Sequence, residues 1–118
     1  MIVVSRGEIW FANLNPTRGS EQVGIRPVIV FQANVLNKFT TTVLAIPLTK
    51  NLRRVSLPVC VFISKGEGGL ANDSNDSVAL CHQLRVLDKT RLQRKIGTLN
   101  QKTLSTIESR MLFTMGII

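Results

Sequence analysis

The chain of 118 residues carries 15 Lys+Arg against 7 Asp+Glu, a formal net charge of +8, with 44% hydrophobic and 19% charged residues. That length and apolar content fit one packed domain over residues 1–118 and argue against intrinsic disorder, and no apolar run reaches membrane-spanning length. The charge excess lies in both halves, so it favours a polyanion or an acidic protein as partner without naming one.

A β-type run over residues 8–14 leads into a polar loop over 15–25, punctuated by Asn15-Pro16 and Gly19-Ser20. Residues 26–32 form a β-branched run. Pro27 removes the helical option for Arg26 and holds it extended, so a cation stands at the mouth of a strand beside a glycine-bearing loop. Residues 34–38 form a turn or short helical connection, and a third strand over 41–46 leads through Pro47-Leu48 to Thr49. A fourth strand covers 57–63, with Pro58 near its start where a missing amide is tolerated. The glycine-rich loop 66–76 precedes a fifth strand over 77–80 and a short sixth over 83–87.

The last third reads as helical. Asp88 is the expected N-cap of a helix over 89–96 that Gly97 stops. Asn100 caps a second helix, with Leu104, Ile107, Met111, Leu112 and Met115 at helical spacing and Gly116 as its stop. That stripe suits a core or a dimer interface. Short strands at this spacing, followed by a helix, predict a small barrel with the terminal helix packed on it.

Cys60 and Cys81 lie inside apolar runs without metal-type spacing, so buried free thiols in a reducing cytoplasm are expected. The apolar stretch at residues 1–4 is too short for a signal peptide, which again predicts a cytoplasmic protein.

The residues suited to anion chemistry are few. An arginine's planar fork binds two phosphate oxygens, so Arg26 is the leading candidate, with donors from Thr49, Ser20 and Gln22. Lys50, Arg53 and Arg54 make a basic patch directly after Thr49, while Lys89, Arg91, Arg94 and Lys95 make a second one expected on a solvated helix face. Phe39, in a connection, is the best aromatic for stacking on a base; a broader stacking platform is not evident. Gly66-Glu67-Gly68-Gly69 lacks the Gly-Lys-Ser/Thr ending of a P-loop. Glu67, Asp73 and Asp76 fit solvated loop acids, and neither a metal nor a cofactor motif is present. On residue types alone, an Arg-Pro at a strand start is usually structural, and a threonine at a strand end is usually a turn residue.

The segments Arg6-Gly7-Glu8-Ile9-Trp10-Phe11, Gly19-Ser20-Glu21-Gln22, Ile25-Arg26-Pro27-Val28-Ile29-Val30, Ile46-Pro47-Leu48-Thr49 and Asp76-Ser77-Val78-Ala79-Leu80 resemble the MazF/PemK family of toxin endoribonucleases. The resemblance implies a mainly β fold with a C-terminal helix, an SH3-like small barrel of the MazF/Kid/CcdB type. It implies a homodimeric toxin of a type II toxin–antitoxin system that cleaves single-stranded mRNA without metal or cofactor. The expected products carry a 2′,3′-cyclic phosphate and a 5′-hydroxyl, and a small acidic antitoxin is the expected inhibitor. Arg26 and Thr49 match the catalytic contexts. Ser20, Gln22 and Gln83 match RNA contacts, with Lys50, Arg53 and Arg54 tracking the backbone. His82 is either a rim or structural residue or the general base, which the residues leave open. A CcdB-like gyrase poison is the rival, although the ending Met115-Gly116-Ile117-Ile118 lacks the tryptophan of that group. A passive RNA-binding barrel is the third option.

Overall fold

Seven antiparallel strands and a terminal helix make up the computed structural model, which describes residues 2–53, 57–67 and 76–118. In chain order these are β1 (Glu8–Asn13), β2 (Ile25–Val30), α1 (Asn34–Asn37), β3 (Thr42–Thr49), β4 (Cys60–Ile63), β5 (Ser77–Leu80), β6 (Arg85–Asp88), β7 (Leu92–Thr98) and α2 (Gln101–Thr114). Two 3-10 turns, Cys81–Gln83 and Lys89–Arg91, flank β6.

β3 organises the sheet. One of its edges pairs with β2 over Ala45–Pro47, and the other pairs first with β6 over Thr42–Ala45 and then with β5 over Leu48–Thr49. The resulting order is β4-β5-β3-β2-β1-β7, with β6 beside β3. The predicted mainly β architecture with a C-terminal helix is thus present, its sheet open between β4 and β7 rather than closed.

Alternate residues of the central strands point to opposite faces. Ile9, Ile29, Ile46 and Ile63 fall in one apolar cluster, and Ala12, Val28, Val30 and Val43 fall in another. Both faces of β2 are therefore buried, which explains why it reads as a continuous apolar run rather than an alternating one. α2 adds Ile107 and Met111 to the first cluster, and its Leu104 is also buried. Asn100 caps that helix, its Oδ1 accepting the Thr103 N–H at 2.8 Å. Gly116 ends it at φ 75, a left-handed conformation that glycine adopts without a Cβ penalty. Leu112 and Met115 of the predicted stripe remain exposed.

The sequence expectation of a helix over 89–96 is corrected. Asp88 does accept the Thr90 N–H, but it caps only the 3-10 turn, and the chain then extends as β7. β1 would otherwise lack a partner on that side. β7 supplies the ladder from Glu8↔Thr98 to Ala12↔Leu92, reinforced by a Lys95–Glu8 ion pair at 3.0 Å and by Arg94 stacked 4.7 Å over the Phe11 ring. Leu, Gln, Arg and Lys are good helix formers, and here tertiary pairing overrides that preference. Lysines and arginines on such an edge strand also discourage pairing with another chain.

Candidate active site

The site is built where β2 begins and β3 ends. The β2–β3 register runs Val30↔Ala45, Ile29↔Ile46 and Val28↔Pro47, and beyond its last pair Arg26 and Thr49 line one crevice. β3 continues past the predicted end at residue 46, so Thr49 is the last strand residue and pairs with Val78 of β5. Arg26, Pro27, Leu48, Thr49, Lys50 and Ser77 line a crevice of about 10 Å³ there. That is room for roughly one water-sized atom.

Arg26 is half-buried. Its Nε donates to the Val23 carbonyl at 3.1 Å, and among the described residues it forms no ion pair. Its terminal guanidinium nitrogens make no hydrogen bond to the described residues. Thr49 is buried, and its Oγ1 accepts the Asn51 N–H at 3.2 Å, while among the described residues its hydroxyl proton is donated to none. Such pre-positioned donors stabilise negative charge where it develops.

The loop between β1 and β2 is tied down from beneath. The side-chain carbonyl of Gln83 accepts the Gln22 N–H at 2.7 Å while its amide donates to the Ser20 carbonyl at 3.3 Å. Gly24, at φ 80, closes the loop base. Its N–H donates to Asn15 Oδ1 at 3.2 Å and its carbonyl accepts the Leu14 N–H at 2.9 Å. Arg85 donates to the Leu14 carbonyl, and Arg91 donates to the carbonyls of Asn13 and Asn15.

The structure therefore brings together Arg26, Thr49 and Lys50 at the crevice, and Ser20, Gln22 and Gln83 at the loop. Gln83 spends its amide on the loop backbone. Arg53 is exposed after β3, its N–H bound to Asn51 Oδ1 at 3.2 Å, and His82 is exposed on the 3-10 turn beside Gln83. Arg54 lies outside the described residues, as does most of the 66–76 loop. Phe39 is not at this site. It is 81% exposed just before the opposite end of β3.

The second basic patch is also corrected. Lys89 is buried with its Nζ donating to the Asn37 carbonyl at 2.6 Å, and Arg91, Arg94 and Lys95 make the contacts described above. These cations brace the fold rather than forming one solvated helix face. Sequence reasoning did not single out Ser77, Arg85 or Arg91 for the site. A serine opening the otherwise apolar strand Ser77–Leu80 was the available signal for the first. The arginines act on loop carbonyls distant in sequence, which leaves no local pattern.

A cation and two hydroxyls line a small crevice at one end of an antiparallel sheet, which makes this a small β protein with a candidate anion site. Residues 5–113 match the profile of the PemK-like, MazF-like toxins of type II toxin–antitoxin systems, and the chain belongs to that family. It is 35% identical to endoribonuclease MazF of Staphylococcus saprophyticus over 115 residues, covering 98% of this chain and 93% of that protein. It is 34% identical to endoribonuclease EndoA of Bacillus subtilis over 117 residues, covering 99% and 98%. Among solved structures, MazF from Deinococcus radiodurans matches with a TM-score of 0.83 at 23% identity, over 98% of this chain and 99% of that one. A mycobacterial endoribonuclease in complex with its cognate antitoxin matches with a TM-score of 0.79 at 19% identity, over 98% and 97%. These last two likenesses speak to the fold. The gyrase-poison alternative is not favoured by any of them.

Proposed function

We propose that this chain is the toxin of a type II toxin–antitoxin pair and cleaves single-stranded RNA by internal transesterification. The observation that carries the proposal is the meeting of Arg26 and Thr49 at a crevice sized for one oxygen, in a chain of this family. The 2′-hydroxyl loses its proton and forms a bond to the adjacent phosphorus, and the bond from phosphorus to the 5′-oxygen breaks as that oxygen gains a proton. Arg26 and Thr49 stabilise the charge that builds on the non-bridging oxygens. The products are a 2′,3′-cyclic phosphate and a 5′-hydroxyl. Lys50 and Arg53 guide the backbone, and the loop held by Gln83 presents Ser20 and Gln22 to the RNA. Neither Arg26 nor Thr49 supplies the general base, because a guanidinium keeps its proton and a threonine hydroxyl is a weak base.

Working in the cytoplasm as a homodimer, such an enzyme requires restraint. The +8 charge suits an acidic, flexible antitoxin that folds as it binds, with carboxylates competing for Arg26 and Lys50. Apolar side chains left exposed on α2, among them Leu112, Phe113 and Met115, offer area for a second copy to cover.

Incubating the purified protein with a long transcript in excess EDTA tests the proposal. Fragments with 5′-hydroxyl and cyclic phosphate ends are expected. Binding without cleavage, arrest of gyrase, or cleavage that requires a divalent ion would each overturn it. Among the described residues no three His, Cys, Asp or Glu side chains are grouped to hold a metal ion.

A further inference from the structure

We infer that Ser77 contacts the substrate directly, its hydroxyl donating to the same phosphate oxygen that enters the crevice beside Arg26 and Thr49. This extends the RNA-cleavage reading above and rests on it. Ser77 opens β5 and is only 2% exposed, followed by three buried apolar residues, Val78, Ala79 and Leu80. An unpaired buried hydroxyl is not what marks this residue: among the described residues every buried side-chain oxygen and nitrogen has a partner. What it does face is the crevice shared with Arg26, Thr49 and Lys50.

The position is rigid. Ser77 pairs with Ile63 across the β4–β5 ladder, and the preceding Asp76 accepts the Lys65 N–H through Oδ1 at 2.8 Å. Because Thr49 pairs with Val78, Ser77 stands one step along β5, beside Lys50. Donors therefore converge from three adjacent strands: the guanidinium from β2, one hydroxyl from β3 and the other from β5. A volume of about 10 Å³ admits one oxygen and little else. A serine hydroxyl rotates freely, so it can turn its proton toward that oxygen as charge develops.

The test is single-turnover cleavage of a short RNA carrying one mapped site, made with a normal scissile phosphate or with either phosphorothioate diastereomer. Ser77→Ala is expected to slow the normal substrate by about 10- to 100-fold, somewhat less than loss of a charged donor. Its melting temperature and its affinity for a 2′-deoxy, uncleavable analogue should stay at wild-type values. The diastereomer with sulfur in the crevice should already be slow with the wild type, and Ser77→Ala should slow it little further. Equal slowing of all three substrates would show a structural role and overturn the inference, as would wild-type rates. Should Ser77→Ala melt early, the near-isosteric Ser77→Cys replaces it with the same expected loss. Arg26→Ala is run in parallel: if it cleaves normally, the RNA-cleavage reading itself falls, whereas its failure beside a fully active Ser77→Ala removes only the role of Ser77.

Discussion

Gln83 holds Gln22 across 61 residues of sequence, its side-chain oxygen 2.7 Å from the Gln22 backbone nitrogen. The other end of the same amide binds the Ser20 carbonyl, so one side chain fixes two points of the loop that borders the site. Removing it leaves the strands intact but frees the loop. We expect Gln83→Ala to lower kcat/KM by about 10- to 100-fold, the scale of an ångström-sized misplacement. Amide exchange over residues 17–23 should accelerate in the same variant. Gln83→Glu keeps the acceptor for Gln22 and should retain more activity. Unchanged exchange together with unchanged cleavage would show that the clamp does not order the loop.

Among the described residues the Arg26 side chain makes one hydrogen bond, to the Val23 carbonyl. Its removal should therefore cost little stability and most of the activity. Loss of a single donor to a developing oxyanion typically costs about 10²–10³ in rate, and Arg26→Ala should lose at least that much. Thr49→Ala should act in the same direction with a smaller loss. Single-turnover cleavage and thermal melts on the same samples check both. An Arg26→Ala variant with more than about a tenth of wild-type activity contradicts its role.

Much of this arrangement was legible in the chain. β-branched runs mark β2 and β3, the Arg26-Pro27 pair marks an extended cation, and Asn100 with Gly116 brackets α2 correctly. The failure at residues 89–96 has a physical cause. β7 is an edge strand whose side chains at Gln93, Arg94 and Lys95 are exposed, so it shows no alternating apolar pattern to compete with their helix propensity. The demand that decides its conformation comes from β1, about 80 residues earlier in the chain. Gln83 illustrates a related limit. The family resemblance links it to RNA, while its two contacts with the loop depend on pairing that no local sequence window contains.

The thiols should be inert in the folded protein. Burial pushes the Cys81 thiol up to about 11, with nearby Cys60 adding to the shift, so the reactive thiolate is scarce at neutral pH. Both cysteines are buried free thiols, as the sequence suggests. A colorimetric disulfide reagent at pH 7.5 should react with neither until denaturant unfolds the chain. Rapid labelling of Cys81 in the native protein would show that the region between β5 and α2 opens readily.

Glu8 provides a test of the β1–β7 seam with a defined pH dependence. Burial by itself raises the pKa of this carboxyl. The Ser5 N–H at 2.9 Å, the Trp10 indole N–H at 3.0 Å and Lys95 outweigh it, so the net shift is downward. A carboxylate with a depressed folded-state pKa adds stability at pH values above its unfolded value, roughly 4.3, and loses that contribution as pH falls through the folded value. Glu8→Gln retains an oxygen for Ser5 but removes the charge. It should destabilise the fold at pH 7 by about 1–2 kcal/mol, the scale of hydrogen bonds to a charged group. Lys95→Gln should cost less than about 1 kcal/mol, because the lysine side chain is 48% exposed and its attraction is screened by solvent. The difference between wild type and Glu8→Gln should shrink toward zero as pH falls through the depressed folded-state value, below which both side chains are neutral. Melts from pH 3 to 8 decide the matter: a constant deficit across that range would mean that packing, not carboxylate charge, accounts for the contribution of Glu8.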